Sequence, residues 1–468
     1  MSTTHAAEPP HPDPQGPGPE AAEAASHGSE RARDSERSRI RPVVASAAVG
    51  QFVEFYDFLV YAYVASTISH HFFAPGDPLA GTLKTFGVFA LGFSMRPLGG
   101  LLFSHLGDRL GRRGVLAAVI LLMGGATAAI GVLPTYAQAG AWAPVLLTLC
   151  RMVQGLSAGA ETIGSNTLVA EHSPARRRGL FVSLSSTCIN IPGIFAASLV
   201  LALTHLMGAP AFSEIGWRLC FLLGGAFALV GLVIRFRVQE SPDFRRTVQR
   251  DAVPRVPVLE SLRRHPGAIL LAFALSVLSG LGFYTISGYM STYLTTTARM
   301  EPTEALGSNA IALGALLVLQ PVGGWISDAW GRGRTLTAGA AGIAVAAYPA
   351  YWLAGHGTFA AAVAGQVLLA AALALYFGPV TSAVLEIFPP RLRFSAAALG
   401  FNLAYLLFAG TAPFVSTWLV SVSGSTTAPA VYLAAVAVAV GLVTLTFRPR
   451  GPIGLAEPCE PNEGGSRP

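Results

Sequence analysis

Charge is the scarcest property of this sequence. Asp, Glu, Lys and Arg make up 12% of its 468 residues, about half the roughly 25% typical of soluble domains. Lysine occurs once, at Lys84, and the four cysteines, Cys150, Cys188, Cys220 and Cys459, have no metal-ligand spacing. They read as packing residues, and no metal site is expected. A soluble multidomain protein is excluded, because its helices need polar faces that these segments lack. No glycine-rich phosphate loop ending in Gly-Lys-Ser or Gly-Lys-Thr is present, so nothing is built to hydrolyse a nucleotide. No catalytic constellation appears either, and neither an enzyme nor a cofactor is expected. The net charge of +6, with a pI near 9.3, could indicate a nucleic-acid partner. The arginines, however, fall in short clusters between apolar runs, a pattern of membrane topology rather than of phosphate binding.

What fills the chain instead is apolar sequence, with 52% hydrophobic residues and a mean hydropathy of +0.53. Most runs reach about 20 residues, enough to cross the hydrocarbon core of a bilayer. A window of about 19 residues places spans near 42–64, 83–105, 114–134, 143–169, 179–207, 216–236, 268–296, 305–327, 335–354, 358–386, 395–421 and 427–447. The expected fold class is an all-α integral membrane protein with twelve transmembrane helices. Arginine clusters in alternate loops, at Arg109, Arg112 and Arg113, at Arg176, Arg177 and Arg178, in the central loop, and at Arg332, Arg391 and Arg448. The opposite loops hold little beyond Lys84 and Arg299, so both termini are expected in the cytoplasm. The proline- and charge-rich stretch 237–267 divides the spans into two six-helix bundles, 41–236 and 268–448. That layout places a transporter's site between the halves at mid-membrane. The tails 1–40 and 449–468 read as disordered cytoplasmic extensions.

Two loops repeat. SHLGDRLGRRG, 104–114, follows the second span and GWISDAWGRGR, 324–334, follows the eighth. Asp108 matches Asp328, Gly111 matches Gly331 and Arg112 matches Arg332, with Arg109 and Arg113 beside the first copy. An acid, a helix-ending glycine and arginines at this spacing suit a cytoplasmic gate of paired charges, and their recurrence at equivalent places argues for an internal duplication. With this signature the sequence resembles the major facilitator superfamily over residues 42–448. VEFYDFLVY, MRPLGG, GDRLGRR, RMVQGLSAGAE, GWRLCF, ESPDF and EIFPPRLR together are similar to its metabolite:proton symporter family, and FYTISGYMSTYL with LQPVGGWISD resembles the α-ketoglutarate permease branch. The resemblance implies proton-coupled uptake of a small organic anion, a di- or tricarboxylate, by a monomer in the plasma membrane of a bacterium. Uptake of a zwitterionic osmolyte such as betaine or proline, export, and a non-transporting membrane sensor are the alternatives.

Ionisable groups inside a membrane are costly and mark functional positions or buried partners. Glu54 lies 13 residues beyond Arg41, about 19 Å along a helix, and Arg96 precedes Asp108 by 12, about 18 Å from the same face. The two therefore share a depth. Glu54, Asp57 and Tyr61 fall at i, i+3 and i+7 on one stripe, with Asp57 one turn further out, within reach of Arg151. The resemblance assigns the arginine of R-x-x-Q-G, here Arg151, to proton coupling, while buried ion pairs that fix helix register remain the structural alternative. Arg96 is expected to hold the substrate anion. Glu161 could be a proton site, an arginine partner or a polar helix contact. Arg218 could be a second anchor or an interfacial arginine. Asn190, Tyr284 and Asn402 are candidates to line the cavity.

Overall fold

The computed structural model describes residues 48–237 apart from 75, 77, 111 and 160, then 266–388 and 393–446. The expected tails, and the central loop apart from its ends, lie outside these residues. Every regular element among the described residues is helical. Among the described residues, nine helices are long and apolar enough to cross a membrane, from Leu79–Phe103 to Ala428–Leu445. The three other expected spans are also helical where described, over 48–63, Arg112–Val132, and Trp142–Ala158 with Glu161–His172.

Polarity is inverted relative to a soluble protein. Val345 is 76% exposed, and Leu270, Val318 and Leu442 also point outward, whereas Glu54, Asp57, Arg96 and Arg151 are at most 1% exposed. An apolar exterior around a charged interior is the arrangement that lipid demands.

Glycine sets the seam on which the interior charges sit. A Cβ on Gly155 would overlap the carbonyl oxygen of Gly92, and one on Gly99 would overlap that of Leu156. The helices Pro78–Ser94 and Arg96–Leu110 therefore run backbone to backbone against Trp142–Ala158, the close approach that small residues permit in membranes. Met95 and Pro97 interrupt the first of these rods between Ser94 and Arg96, placing Arg96 at the break. In the second half, five-residue π-helical turns at Thr285–Tyr289 and Tyr405–Ala409 begin beside buried Tyr284 and at buried Tyr405. Such bulges recur at functional positions.

The halves are latched at two levels. Tyr63, on the first helix, donates to Asn309 Oδ1 at 3.0 Å, and Asn309 in turn donates to Ile286 O and Gln366 Oε1. Asp328 accepts from the backbone N–H groups of Gly179 and Leu180, both at 2.9 Å. Asn309 and Asp328 lie on the same helix, Pro302–Trp330, about 28 Å apart at 1.5 Å per residue. The buried polar groups lie between these two closures.

Candidate functional site

Glu54 is held by two side chains. Arg96 Nη2 donates to its Oε1 at 2.7 Å, and Thr162 Oγ1 lies 3.0 and 2.8 Å from its two oxygens. The shared depth counted along the sequence thus becomes a buried ion pair. Arg96 is committed further, with Nη2 also near Ala158 O at 3.3 Å and Nε 3.5 Å from Asn402 Oδ1. Only its Nη1 lacks a partner. Asn402 comes from the second half and donates to Gly159 O at 2.8 Å, so it ties this cluster across the halves. The guanidinium expected to hold the substrate anion is thus paired with the Glu54 carboxylate in this structure.

Asp57 and Arg151 are arranged differently from the direct contact expected. Thr127 Oγ1 donates to Asp57 Oδ2 at 3.1 Å, Gln154 Nε2 donates to Thr127 Oγ1 at 2.8 Å, and Arg151 Nη1 donates to Gln154 Oε1 at 2.8 Å. Two neutral side chains bridge the acid and the base. Among the described residues, Asp57 Oδ1 and Arg151 Nε and Nη2 have no hydrogen-bond partner. Arg151 instead lies against rings, its Cζ 4.7 Å from the Phe58 centroid, 4.3 Å from Tyr61 and 5.2 Å from Phe89. Arg96 does the same with Phe58, Phe93 and Tyr405. Ring faces carry negative potential and compensate a desolvated cation.

The other expected residues divide into those inside this chamber and those outside it. Tyr61 donates to Thr85 O at 3.0 Å and presents its ring to Arg151. Tyr284 is fully buried among Phe89, Phe93, Phe283 and Tyr405, with its hydroxyl unpartnered. Glu161 accepts from Ser165 Oγ at 3.0 Å. Asn190 donates to Thr187 O and reaches Gln320 Oε1 at 3.4 Å, on the seam between halves. Arg218 is placed elsewhere: its Nη1 donates to Gly131 O and Leu133 O, and its guanidinium covers Trp217. It satisfies the carbonyls that end Arg112–Val132, as an interfacial arginine does, and offers no anchor to the chamber.

The second copy of the repeated loop forms a charged latch. Arg332 Nη1 lies 2.8 Å from Asp328 Oδ1 and 2.6 Å from Ser327 Oγ, while its Nε and Nη2 lie 3.3 Å from Glu386. Arg178 adds a contact to Glu386 at 3.9 Å. Asp328 thereby caps the N-terminus of Arg178–Ser186, where helix N–H groups and dipole favour a carboxylate. Gly331 turns the chain at φ +93°, a conformation that only glycine adopts cheaply. In the first copy, Gly111 and the side chains of Asp108, Arg109, Arg112 and Arg113 lie outside the described residues. Thr127, Thr162, Phe89 and Phe93 are the residues that sequence reasoning missed. Their only signal is position within spans, which packing residues share.

A helical body that is apolar outside, charged inside and latched at both ends fits a solute carrier. Its backbone is similar to that of XylE from E. coli, a major facilitator superfamily proton:xylose symporter, with a TM-score of 0.69 and 21% identity over 88% of this chain and 96% of that one. A partially occluded, inward-open form of the same xylose transporter gives 0.70. The sugar (and other) transporter family matches residues 43–268 and 257–450, and the chain belongs to it. It is thus a secondary transporter of the major facilitator fold, a multi-pass protein of the plasma membrane. The glycine betaine/proline/ectoine/pipecolic acid transporter of Dickeya dadantii is 35% identical over 419 residues, 87% of this chain and 83% of that protein. The proline/betaine transporter of Escherichia coli K12 is 34% identical over 416 residues, again 87% and 83%. A putative proline/betaine transporter of Staphylococcus aureus is 33% identical over 420 residues, 88% and 89%. These relatives are named for betaine and proline, against the dicarboxylate branch expected from FYTISGYMSTYL and LQPVGGWISD.

Proposed function

We propose that the protein takes up a zwitterionic osmolyte of the betaine or proline type together with protons. It does so as a monomer of twelve helices with both termini cytoplasmic, by rocking two six-helix bundles about the chamber. The observation that carries this reading is the pair of open valences of opposite sign: two donors on Arg151 and one acceptor oxygen on Asp57. A zwitterion offers a complement to each. A dicarboxylate would meet one uncommitted guanidinium, because Glu54 occupies Arg96, and would bring its second charge toward Asp57. The names of the relatives support the same choice. Arg151 takes the carboxylate, which planar guanidinium donors suit, and Tyr284 supplies a hydroxyl from the opposite half. Asp57 exchanges the proton, and the Gln154–Thr127 bridge links its state to Arg151.

Proteoliposomes loaded at neutral pH test this, with labelled glycine betaine, proline, α-ketoglutarate and citrate supplied with and without an inward proton gradient. Accumulation of betaine or proline that collapses with the gradient is expected, with no competition from either carboxylate. Gradient-driven accumulation of a carboxylate without that of a zwitterion would reverse the assignment.

A further inference from the structure

Resting on the zwitterion reading, we propose that the ring faces of Phe58, Tyr61 and Phe89 form the subsite for the substrate's cationic head group, and that the guanidinium of Arg151 fills this subsite until substrate displaces it. Arg151 and all three rings are completely buried. No carboxylate lies within ion-pair distance of Arg151 among the described residues; the rings are in direct contact with its charge, and Asp57 reaches it only through Thr127 and Gln154. A quaternary ammonium is held by the same faces in the same way. Two cations cannot share them.

Arg151 is the occupant that can leave. Arg96 also rests on rings, but Glu54, Ala158 O and Asn402 hold it. The one side-chain bond that Arg151 makes goes to Gln154, one turn along its own helix, and its two open donors give a carboxylate a place to bind. A substrate carboxylate binding there draws the guanidinium off the rings, and the head group of the same molecule takes the vacated faces. The exchange needs both ends of the substrate. An anion alone leaves the rings without a cation, and a cation alone has nothing with which to draw Arg151 away.

Isothermal titration of the purified full-length protein with glycine betaine and with 3,3-dimethylbutyrate tests this, because the second keeps shape and carboxylate but replaces the charged nitrogen by carbon. The carbon analogue, whose head group is uncharged, is expected to bind at least about tenfold more weakly. Phe89→Leu should cut the ratio of betaine to analogue affinity by about tenfold, because the contact to Arg151 that it removes from the empty state is lost for both ligands alike, while Phe89→Tyr retains the wild-type ratio. Tyr61→Leu gives the same reading if Phe89→Leu does not fold. Equal binding of the two ligands, or an equal loss of both in the leucine variant, overturns the subsite and leaves the transport reading standing. Binding of α-ketoglutarate with none of betaine or proline overturns both.

Discussion

At the residue scale, two carboxylates three positions apart on one helix have different surroundings and so different expected phenotypes. Glu54 is saturated by Arg96 and Thr162. Glu54→Gln leaves a buried guanidinium uncompensated and is expected to cost about 3–5 kcal/mol, read as a lower midpoint in detergent thermal denaturation. Adding Arg96→Gln should restore part of that loss. Asp57 keeps an open oxygen, and Asp57→Asn is expected to abolish gradient-driven accumulation while preserving exchange of preloaded substrate. Accumulation at the wild-type level in that variant would remove Asp57 from the coupling path. The Glu54–Arg96 pair was legible in the sequence because depth follows from counting residues at a fixed rise. The Thr127–Gln154 bridge was not, because a hydroxyl in an apolar helix normally returns its proton to the carbonyl four residues back. Thr127 Oγ1 also lies 2.9 Å from Met123 O, an alternative acceptor for its single proton, and nothing in the sequence separates the two roles.

At the scale of elements, the charged interior depends on how closely its helices approach. Gly92, Gly99 and Gly155 let the Arg96 and Arg151 helices touch through their backbones. Gly155→Leu forces that seam apart, a larger insult than the roughly 1–3 kcal/mol of ordinary overpacking. Loss of the monodisperse peak in size-exclusion chromatography is expected, whereas Gly125→Ala, with no atom within 4 Å of the added Cβ, should elute normally. Span positions were readable from hydropathy to within a few residues. The π-helical turns before Met290 and Gly410 were not, since hydropathy does not register such bulges, and the break at Met95 had a sequence cue only in Pro97. Those irregularities fall at or beside Arg96, Tyr284 and Tyr405, which is why a helical-wheel argument places such residues on a face but not in a chamber.

At the scale of the whole molecule, the two latches differ in chemistry. The one at Tyr63 and Asn309 is neutral, and the one at Asp328 combines helix capping with ion pairs to Arg332. Asp328→Ala removes three acceptor contacts at once and is expected to favour opening at that end. Ser183 is buried there against Gly324, so a Ser183→Cys reporter in a background free of other cysteines should be alkylated several-fold faster when Asp328 is replaced. An unchanged rate would mean that the latch does not govern access.

If the buried cluster binds a zwitterion as proposed, it also sorts solutes by hydration. With Glu54, Asp57, Arg96 and Arg151 all at 1% exposure or less, a bound solute sheds its water on every side. Ring faces offer no strong acceptor, so a head group bearing N–H bonds forfeits hydrogen bonds on entry that a fully methylated nitrogen never made. Under the proposed zwitterion reading, the expected order is betaine ahead of proline, and both ahead of amino acids with a primary ammonium, set by how weakly each holds its water rather than by how large it is.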